Sequence, residues 1–212
     1  MPIDLDQIRE SLPQREVVWF SEIPSTMPEA ARLAAAGCPS GALVGAEEQS
    51  AGQGRHGRIW HSERGTGLYV SIVLRPALDS DSLSVLTLAM GLAVQEAIAA
   101  VAGVLCDLRW PNDLLVGGRK CAGILCQTAD PAVIVGIGVN VNQEAFPPEI
   151  ATVATSLRML TGRCHSREEL LILLMKCVDE YCWLLAEQGA DRILHLYAER
   201  GRKDRGTHAA GS

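Results

Sequence analysis

Aromatic side chains are scarce in this sequence, because Phe, Trp and Tyr together account for only 4% of its 212 residues. Hydrophobic residues still reach 48%, so Leu, Val, Ile and Ala must fill the core that a chain of this length can bury. The seven cysteines are an odd number and include no CxxC pair, which disfavours both a zinc site and a disulfide framework. Reduced thiols are the simpler interpretation, and they predict a cytoplasmic protein.

A positive charge balance is also missing. The formal net charge is −6, unlike the basic balance of most nucleic-acid-binding proteins, so we expect no nucleic-acid partner. An anionic ligand would then have to meet a local positive cluster. The sequence has no run of 18 uninterrupted apolar residues and no cationic start followed by an apolar stretch, so we expect neither a membrane span nor a signal peptide.

The pattern of apolar residues predicts strands in the first two thirds of the chain and mostly helices in the last third. Predicted strands cover residues 17–20, 42–48, 67–75, 107–110, 114–116, 119–127 and 132–139, and predicted helices cover 4–12, 27–36, 82–101, 153–161, 166–188 and 190–200. Thr26 and Glu29 have capping-box spacing, and Gly117-Gly118 suits a tight hairpin turn. Because no repeating βαβ rhythm is present, we predict an α+β fold with a mixed, largely antiparallel sheet flanked by helices. One domain would cover residues 1–200, followed by a disordered tail over 201–212.

A glycine–arginine loop follows the second predicted strand, at residues 49–58. Glycines let backbone N–H groups approach an anion closely, and arginine adds forked donors that suit carboxylate and phosphate. Gly54, Arg55 and Arg58 therefore indicate an anion-binding loop, although the GK[ST] ending of a Walker A motif is absent. A flexible surface loop with solvated arginines explains the same residues equally well. Trp60, just beyond the loop, could stack on a base, but a core anchor is the simpler interpretation.

Two further clusters combine polar side chains with small residues. Asn112 and Asp113 follow a predicted strand, and Lys120 lies on the return strand of the hairpin, where it could pair with an anionic substrate group. A solvated lysine and a simple turn cap account for these residues without any ligand. The third cluster, residues 136–142, includes Asn140 and two glycines, and glycines inside an apolar strand indicate a bulge or a close backbone approach.

Taken together and in order, these segments resemble the biotin protein ligase family. The resemblance covers about residues 17–200, and it is specific because unrelated loops would not share all the pieces at matching intervals. It implies the catalytic-domain fold of class II aminoacyl-tRNA synthetases and biotin ligases. The matching pieces are Ser25-Thr26, Ala46-Glu47-Glu48-Gln49, Gly54-Arg55-His56-Gly57-Arg58-Ile59-Trp60, Gly67-Leu68-Tyr69-Val70-Ser71, Arg109-Trp110-Pro111-Asn112-Asp113-Leu114, Arg119-Lys120-Cys121-Ala122-Gly123-Ile124-Leu125 and Gly136-Ile137-Gly138-Val139-Asn140.

The resemblance implies an ATP-dependent ligase that works in two steps. Biotin's carboxylate attacks the α-phosphate of ATP and yields biotinyl-5′-AMP and pyrophosphate. A lysine of a biotin carboxyl carrier protein, typically of acetyl-CoA carboxylase, then attacks this mixed anhydride and releases AMP. Two anions meet in the first step, so Arg55, Arg58 and Lys120 would supply positive charge, with Mg²⁺ bridging phosphate oxygens. Relatives often dimerise, so a homodimer is a further expectation.

The resemblance also implies a role for each matching position. The catalytic residues would be Arg55, Lys120 and Asp113. Biotin would contact Ser25, Thr26, Gln49, Gly54, Arg55, Lys120, Gly123 and Leu125. The nucleotide would contact Arg55, Arg58, Trp60, Asn112, Lys120 and Asn140. No metal-ligating residue is implied.

Three departures from the family pattern modify these expectations. Gln53 stands where the loop usually carries an arginine, so one charge-assisted contact would be missing and biotin or its adenylate would be retained less well. Met27 stands where Asn usually follows Ser-Thr, which exchanges a polar contact to biotin for an apolar one. The family usually adds a small SH3-like domain, and some members carry a DNA-binding domain. We expect neither domain here, and no repressor role.

Two other functions fit some of these residues. A lipoate–protein ligase would share the fold and the adenylation chemistry. The WPND and GRHGRIW segments favour biotin, whose ureido ring needs hydrogen-bond partners that a dithiolane does not. A biotin- or adenylate-binding protein without efficient transfer would not need Arg55 and Lys120 around an α-phosphate. A nucleic-acid-binding regulator is disfavoured by the negative net charge.

Overall fold

The computed structural model describes residues 2–76 and 83–202, and within them a seven-stranded sheet has the strand order β1-β2-β3-β7-β6-β5-β4. The strands are β1 (Val17–Phe20), β2 (Leu43–Ala46), β3 (Leu68–Leu74), β4 (Asp107–Arg109), β5 (Asp113–Val116), β6 (Arg119–Ala129) and β7 (Ala132–Val139). The helices are α1 (Leu5–Ser11), α2 (Thr26–Ala35), α3 (Leu83–Ala102), α4 (Leu157–Thr161) and α5 (Arg167–Arg202).

The strand pairing confirms the predicted α+β fold with its mixed, largely antiparallel sheet. β1 runs parallel to β2, and every other pair of neighbouring strands in this sheet is antiparallel. The hairpin between β5 and β6 turns at Gly117 and Gly118, whose φ angles are 56° and 77°. Positive φ at both central residues is what a type I′ turn requires, so the turn predicted from the Gly-Gly pair is confirmed.

The two faces of the sheet carry different residues because successive side chains in a strand point to opposite sides. Val70 and Ile137 face the main core, which α3 and α5 cover. Ser71, Gly136 and Gly138 alternate with them and therefore face the opposite side, where α2 packs. Because these residues are so small, the sheet leaves a hollow beside the N-terminus of α2.

Helix α3 is long and apolar enough to cross a membrane, judged by length and composition alone. Of its apolar window, 67% is buried inside the molecule, where α3 packs on α5 and the sheet. A buried core helix can have the same length and hydropathy, so α3 is only weak evidence for a membrane-spanning helix. The sequence predicted the helix at 82–101, of which residue 82 lies outside the described residues.

Two helix boundaries differ from the sequence-based expectation. The cap of α2 is Ser25 rather than Thr26, since Ser25 Oγ accepts a hydrogen bond from the Met27 N–H at 3.4 Å. The helix predicted from residue 153 is wrong in its first turn, because α4 begins only at Leu157 and residues 153–155 run beside β6.

The last helix combines the two helices predicted at 166–188 and 190–200. Helix α5 contains a break at Gly189, where φ is 77° and ψ is −178°. The positive φ explains why glycine occupies the break between the two halves. Gly201 and Arg202 still belong to α5, and the rest of the tail predicted as disordered, residues 203–212, lies outside the described residues.

A buried ion pair ties the last helix to the sheet next to the hollow. Arg167 Nη1 lies 2.9 Å from Glu47 Oε2, and both side chains are less than one tenth exposed. The other carboxylate oxygen of Glu47 accepts hydrogen bonds from the Ile3 N–H at 2.9 Å and the Trp19 indole at 3.1 Å. The N-terminal segment, β1, β2 and α5 therefore meet at one carboxylate, two residues before Gln49.

Candidate active site

A cleft occupies the hollow between the start of α2 and the loop 49–60. Its floor includes Gly123 and Gly138, which are paired across β6 and β7. The indole of Trp60 covers both. A Cβ on Gly138 would lie 2.4 Å from Trp60 Cε2, and one on Gly123 would lie 2.9 Å from Cζ3. Only glycine admits the ring at these distances, so the predicted close approach to the strands is confirmed. We call this space the inner cleft.

Polar side chains line one end of the inner cleft. Gln49 Oε1 accepts hydrogen bonds from the Thr26 N–H at 2.8 Å and the Thr26 hydroxyl at 3.1 Å. Gln49 Nε2 donates to Ser62 Oγ at 3.0 Å, and the Thr26 hydroxyl lies 2.7 Å from Ser71 Oγ. An amide nitrogen has two N–H groups, so within the described part of the chain one N–H of Gln49 is left for a ligand. Ser25 lines the same end.

Charged side chains meet at the other end. Lys120 Nζ lies 2.6 Å from Asp113 Oδ1, and the same oxygen accepts a hydrogen bond from Asn112 Nδ2 at 3.0 Å. Asn112 Oδ1 in turn accepts from Arg55 Nη1 at 3.1 Å, which joins the glycine–arginine loop to β5. Lys120 Nζ also lies 5.2 Å from the centre of the Trp60 ring, a cation–π contact. The three residues predicted to be catalytic are therefore close together.

A second, wider cleft opens beyond Lys120, and we call it the outer cleft. The residues that it shares with the inner cleft are Gly54, Arg55, Trp60, Asn112 and Lys120. Among the described residues, the Lys, Arg, Asp and Glu side chains that line it are Arg55, Arg58, Arg109, Lys120 and Asp113. Four cations and one carboxylate make this wall locally positive, although the chain is acidic. The outer cleft therefore suits a ligand with several negative charges.

The backbone of Lys120 is held from two directions. Its N–H donates to Val153 O at 2.8 Å, and its carbonyl accepts from the Thr155 N–H at 2.9 Å. Asn140, which is 4% exposed, donates from Nδ2 to the carbonyls of Lys120 and Thr155 at 3.3 and 3.0 Å. Asn140 lines the outer cleft, as predicted for a nucleotide contact, but its amide nitrogen also helps to hold Lys120.

Comparison with known proteins identifies the family. The model of the biotin/lipoate A/B protein ligase family matches residues 19–143, which is more than half of the chain. The chain belongs to this family. The matched range contains the whole sheet except the first two residues of β1. It also contains the cleft-lining residues described so far, whereas the segment around Val153 lies outside it.

Individual relatives agree with this family. The bifunctional ligase/repressor BirA of Bacillus spizizenii is 38% identical over 173 residues, which are 78% of this chain and 53% of that protein. The biotin–[acetyl-CoA-carboxylase] ligase of Mycobacterium tuberculosis is 34% identical over 82% of this chain and 69% of that protein. The structure of the Aquifex aeolicus biotin protein ligase in complex with biotin and ATP matches with a TM-score of 0.79 at 33% identity, over 86% of this chain and 76% of that chain. The chain spans about half the length of the BirA relatives that it matches.

All thirteen residues that the family resemblance placed in the site line one or both clefts. The inner cleft has Ser25, Thr26, Gln49, Gly54, Arg55, Trp60, Asn112, Lys120, Gly123 and Leu125, and the outer cleft adds Arg58, Asp113 and Asn140. Their contacts with a ligand stay predictions. Sequence reasoning missed the hydrogen bonds of Ser62 and Ser71, because a single serine in a loop or strand carries no signal of its own. Met27 and Gln53, the two departures from the family pattern, also line the inner cleft.

Proposed function

We propose that this protein is a biotin protein ligase that converts biotin and ATP to biotinyl-5′-AMP and transfers the biotinyl group to a lysine of a biotin carboxyl carrier protein. The observation that carries this proposal is the junction of the two clefts at Arg55 and Lys120. A carboxylate held in the inner cleft would meet a phosphate of a nucleotide in the outer cleft beside two cations. Adenylation needs this arrangement because the two reacting anions repel each other.

The residues at the junction suit both steps of the reaction. In the first step a biotin carboxylate oxygen attacks the α-phosphorus, the bond to the pyrophosphate oxygen breaks, and pyrophosphate leaves. Lys120 and Arg55 would stabilise the charge on the α-phosphate oxygens, and their fixed positions avoid reorganisation during the reaction. In the second step a lysine amine attacks the biotinyl carbonyl carbon, and AMP leaves with the anhydride oxygen. Asp113, whose Oδ1 pairs with Lys120, would bind the incoming ammonium group and take up its proton.

The polar end of the inner cleft favours biotin over lipoate. The free N–H of Gln49 and the hydroxyl of Ser25 are donors suited to a ureido oxygen. A dithiolane ring would leave these groups unpaired at a cost of about 1–3 kcal/mol each.

A protein substrate fits the mouth of the outer cleft. Ile59, Trp110 and Val153 line this cleft with 83%, 69% and 58% of their surface exposed. Exposed apolar side chains around a polar cleft are typical of a site that another protein covers. A carrier domain docked there would bring its lysine to Asp113. A homodimer and a cytoplasmic location remain part of the proposal, the latter supported by seven unpaired cysteines.

The residues present do not form a Mg²⁺ site by themselves. Within residues 2–76 and 83–202, no three His, Cys, Asp or Glu side chains are grouped so that they could hold a metal ion. Asp113, the one carboxylate that lines the clefts in this part of the chain, is already paired with Lys120. Mg²⁺ usually keeps several waters and binds through one or two carboxylates and substrate phosphates. We propose that it enters on the phosphates of ATP.

Pyrophosphate release from ATP and Mg²⁺, with biotin or lipoate as the acid, tests the proposal. A carrier domain added in the same reaction tests transfer. Biotin-dependent release with labelling of the carrier is expected. Release without labelling would restrict the activity to the first step. Release with lipoate alone would move the protein to the lipoate branch of the family, and biotin binding without release would make it a binding protein.

A further inference from the structure

A chain of hydrogen bonds runs behind the polar end of the inner cleft, through Ser71, Thr26, Gln49 and Ser62. We propose that Ser62 is a positioning residue that holds the Gln49 amide with a donor toward the cleft, so that the cleft selects a ligand with a carbonyl acceptor at that end. The inference rests on the proposed function, since it explains how that site distinguishes the ureido oxygen of biotin from other groups.

The direction of each hydrogen bond in this chain follows from two backbone groups. The Thr26 N–H can only donate, so the Gln49 atom 2.8 Å away must be the oxygen. The same oxygen accepts from the Thr26 hydroxyl, which leaves that hydroxyl to accept from Ser71. At the other end the Trp60 carbonyl can only accept, so Ser62 donates to it at 3.4 Å and accepts from Gln49 Nε2 at 3.0 Å. No alternative arrangement satisfies both backbone groups.

Ser62 acts through Gln49 because it does not reach the cleft. It is 6% exposed and is not among the residues that line either cleft, whereas Gln49 lines the inner one. The space around the pair is tight: a Cβ on Gly52 would lie 3.1 Å from both Gln49 Nε2 and Ser62 Oγ, and 2.6 Å from the Trp60 carbonyl. The Ser62 hydroxyl fits this gap and links the Gln49 amide to the carbonyl of Trp60, just beyond the glycine–arginine loop.

Removing the Ser62 hydroxyl therefore changes what Gln49 presents to a ligand. Without this acceptor, the N–H that faces Ser62 loses its partner, and the amide is held only through its oxygen by Thr26, so its other N–H is aimed at the cleft less firmly. A ligand that offers a carbonyl oxygen loses a pre-positioned donor. A ligand that offers an N–H at the same place does not use this donor, so it loses less affinity.

Biotin and 2-iminobiotin are the probes, because the second carries a nitrogen with N–H groups in place of the ureido oxygen. Their dissociation constants are measured by titration calorimetry, without ATP, for the wild type, Ser62→Ala, Gln49→Leu and the double variant. Ser62→Ala should weaken biotin about 2- to 10-fold, the effect of one neutral hydrogen bond, and should weaken 2-iminobiotin less. In the Gln49→Leu background Ser62→Ala should have no further effect on biotin, because a residue that acts through another is not additive with it.

The ratio of the two dissociation constants is compared within one variant, so a loss of folded protein does not imitate the effect. Thr161→Val is the matched control, since it removes a half-buried hydroxyl that donates to the Leu157 carbonyl at 2.8 Å and does not line either cleft. It should leave the ratio at the wild-type value. An unchanged ratio in Ser62→Ala, or additive losses in the double variant, would overturn the inference while the proposed function stands. Wild-type protein that binds no biotin would overturn both.

Discussion

Substituting Gly138 by alanine should displace the indole of Trp60 and damage the site more than the fold. The new Cβ would lie 2.4 Å from Cε2 and 2.7 Å from Nε1 of the ring. Carbon atoms in contact are separated by about 3.5–4.0 Å, so the ring must recede by about 1 Å. It cannot do so freely, since the backbone N–H of Trp60 is held by the Gly52 carbonyl at 2.8 Å and Lys120 lies over the ring.

The displacement has a cost in stability and a larger one in activity. Overpacking of this kind costs about 1–3 kcal/mol, which lowers the melting temperature of a domain of this size by roughly 2–12 °C. Trp60 lines both clefts, so its movement also misplaces the groups around the reacting atoms. A misplacement of about 1 Å can cost on the order of 100-fold in rate. We expect kcat/KM for biotin-dependent pyrophosphate release to fall about 10- to 100-fold.

Gly45→Ala provides a matched control for this experiment. A Cβ on Gly45 would lie 2.0 Å from Cζ3 of Trp19, so it creates the same kind of clash in β2, and neither residue lines a cleft. This variant should lose stability but keep its kcat/KM per folded molecule. Folded fractions are taken from thermal unfolding, and rates are measured well below the melting temperature. Equal losses of activity in both variants, or wild-type activity in Gly138→Ala, would show that the packing of Trp60 on Gly138 does not position the reacting groups.

Three further predictions concern charge. Lys120→Gln should lower kcat for pyrophosphate release on the order of 100- to 1000-fold, and a smaller loss would show that Lys120 does not stabilise the reacting phosphate. Lys176→Gln, which changes an exposed lysine, is the control and should keep the wild-type kcat. Gln53→Arg should lower the biotin KM and slow release of the adenylate, so unchanged values would contradict the charge argument. Burial lowers the pKa of the His165 imidazole in the folded protein. As the pH falls, the unfolded chain therefore takes up a proton before the folded protein does, so the folded state loses stability once the pH is below the ordinary histidine pKa. Between about pH 8 and pH 5 the melting temperature should therefore drop more in the wild type than in His165→Gln. His195→Gln, which changes an exposed histidine, is the control, and its melting temperature should drop as much as that of the wild type.

Apolar patterning predicted the sheet well because each strand faces a covered core. Strands β1 and β7 have the predicted bounds, 17–20 and 132–139, and the Gly117-Gly118 turn follows from backbone sterics alone. The glycines of β7 indicated a close approach or a bulge, but the sequence could not say that the approaching group is Trp60. The simpler interpretation of Trp60 as a core anchor was half right, since the ring packs on the sheet while lining both clefts.

The remaining gaps concern hydrogen bonds between residues far apart in the chain. Gln49 bonds to Thr26 over 23 positions and to Ser62 over 13, and neither spacing has a local signature. The choice between a solvated Lys120 and a ligand-binding Lys120 also depended on tertiary structure, because only the fold places Asp113 2.6 Å from the ammonium group of Lys120. Family resemblance supplied Thr26, Gln49, Asp113 and Lys120 but not Ser62, and propensity and periodicity supplied none of them.

The wrong helix prediction at 153–161 shows how the fold overrides local preference at the site. Val153 and Ala154 end a turn whose N–H groups bond to the Ile150 carbonyl, and the segment exchanges backbone hydrogen bonds of 2.8 and 2.9 Å with Lys120. A helix that began at Val153 would have used the Val153 carbonyl for the N–H of residue 157, whereas here this carbonyl accepts from Lys120. This segment, with Asn140 beside it, instead holds the strand that carries the lysine. Local and global preferences tend to disagree at functional positions, and here the disagreement lies at the segment that is bridged directly to Lys120, the lysine at the junction of the two clefts.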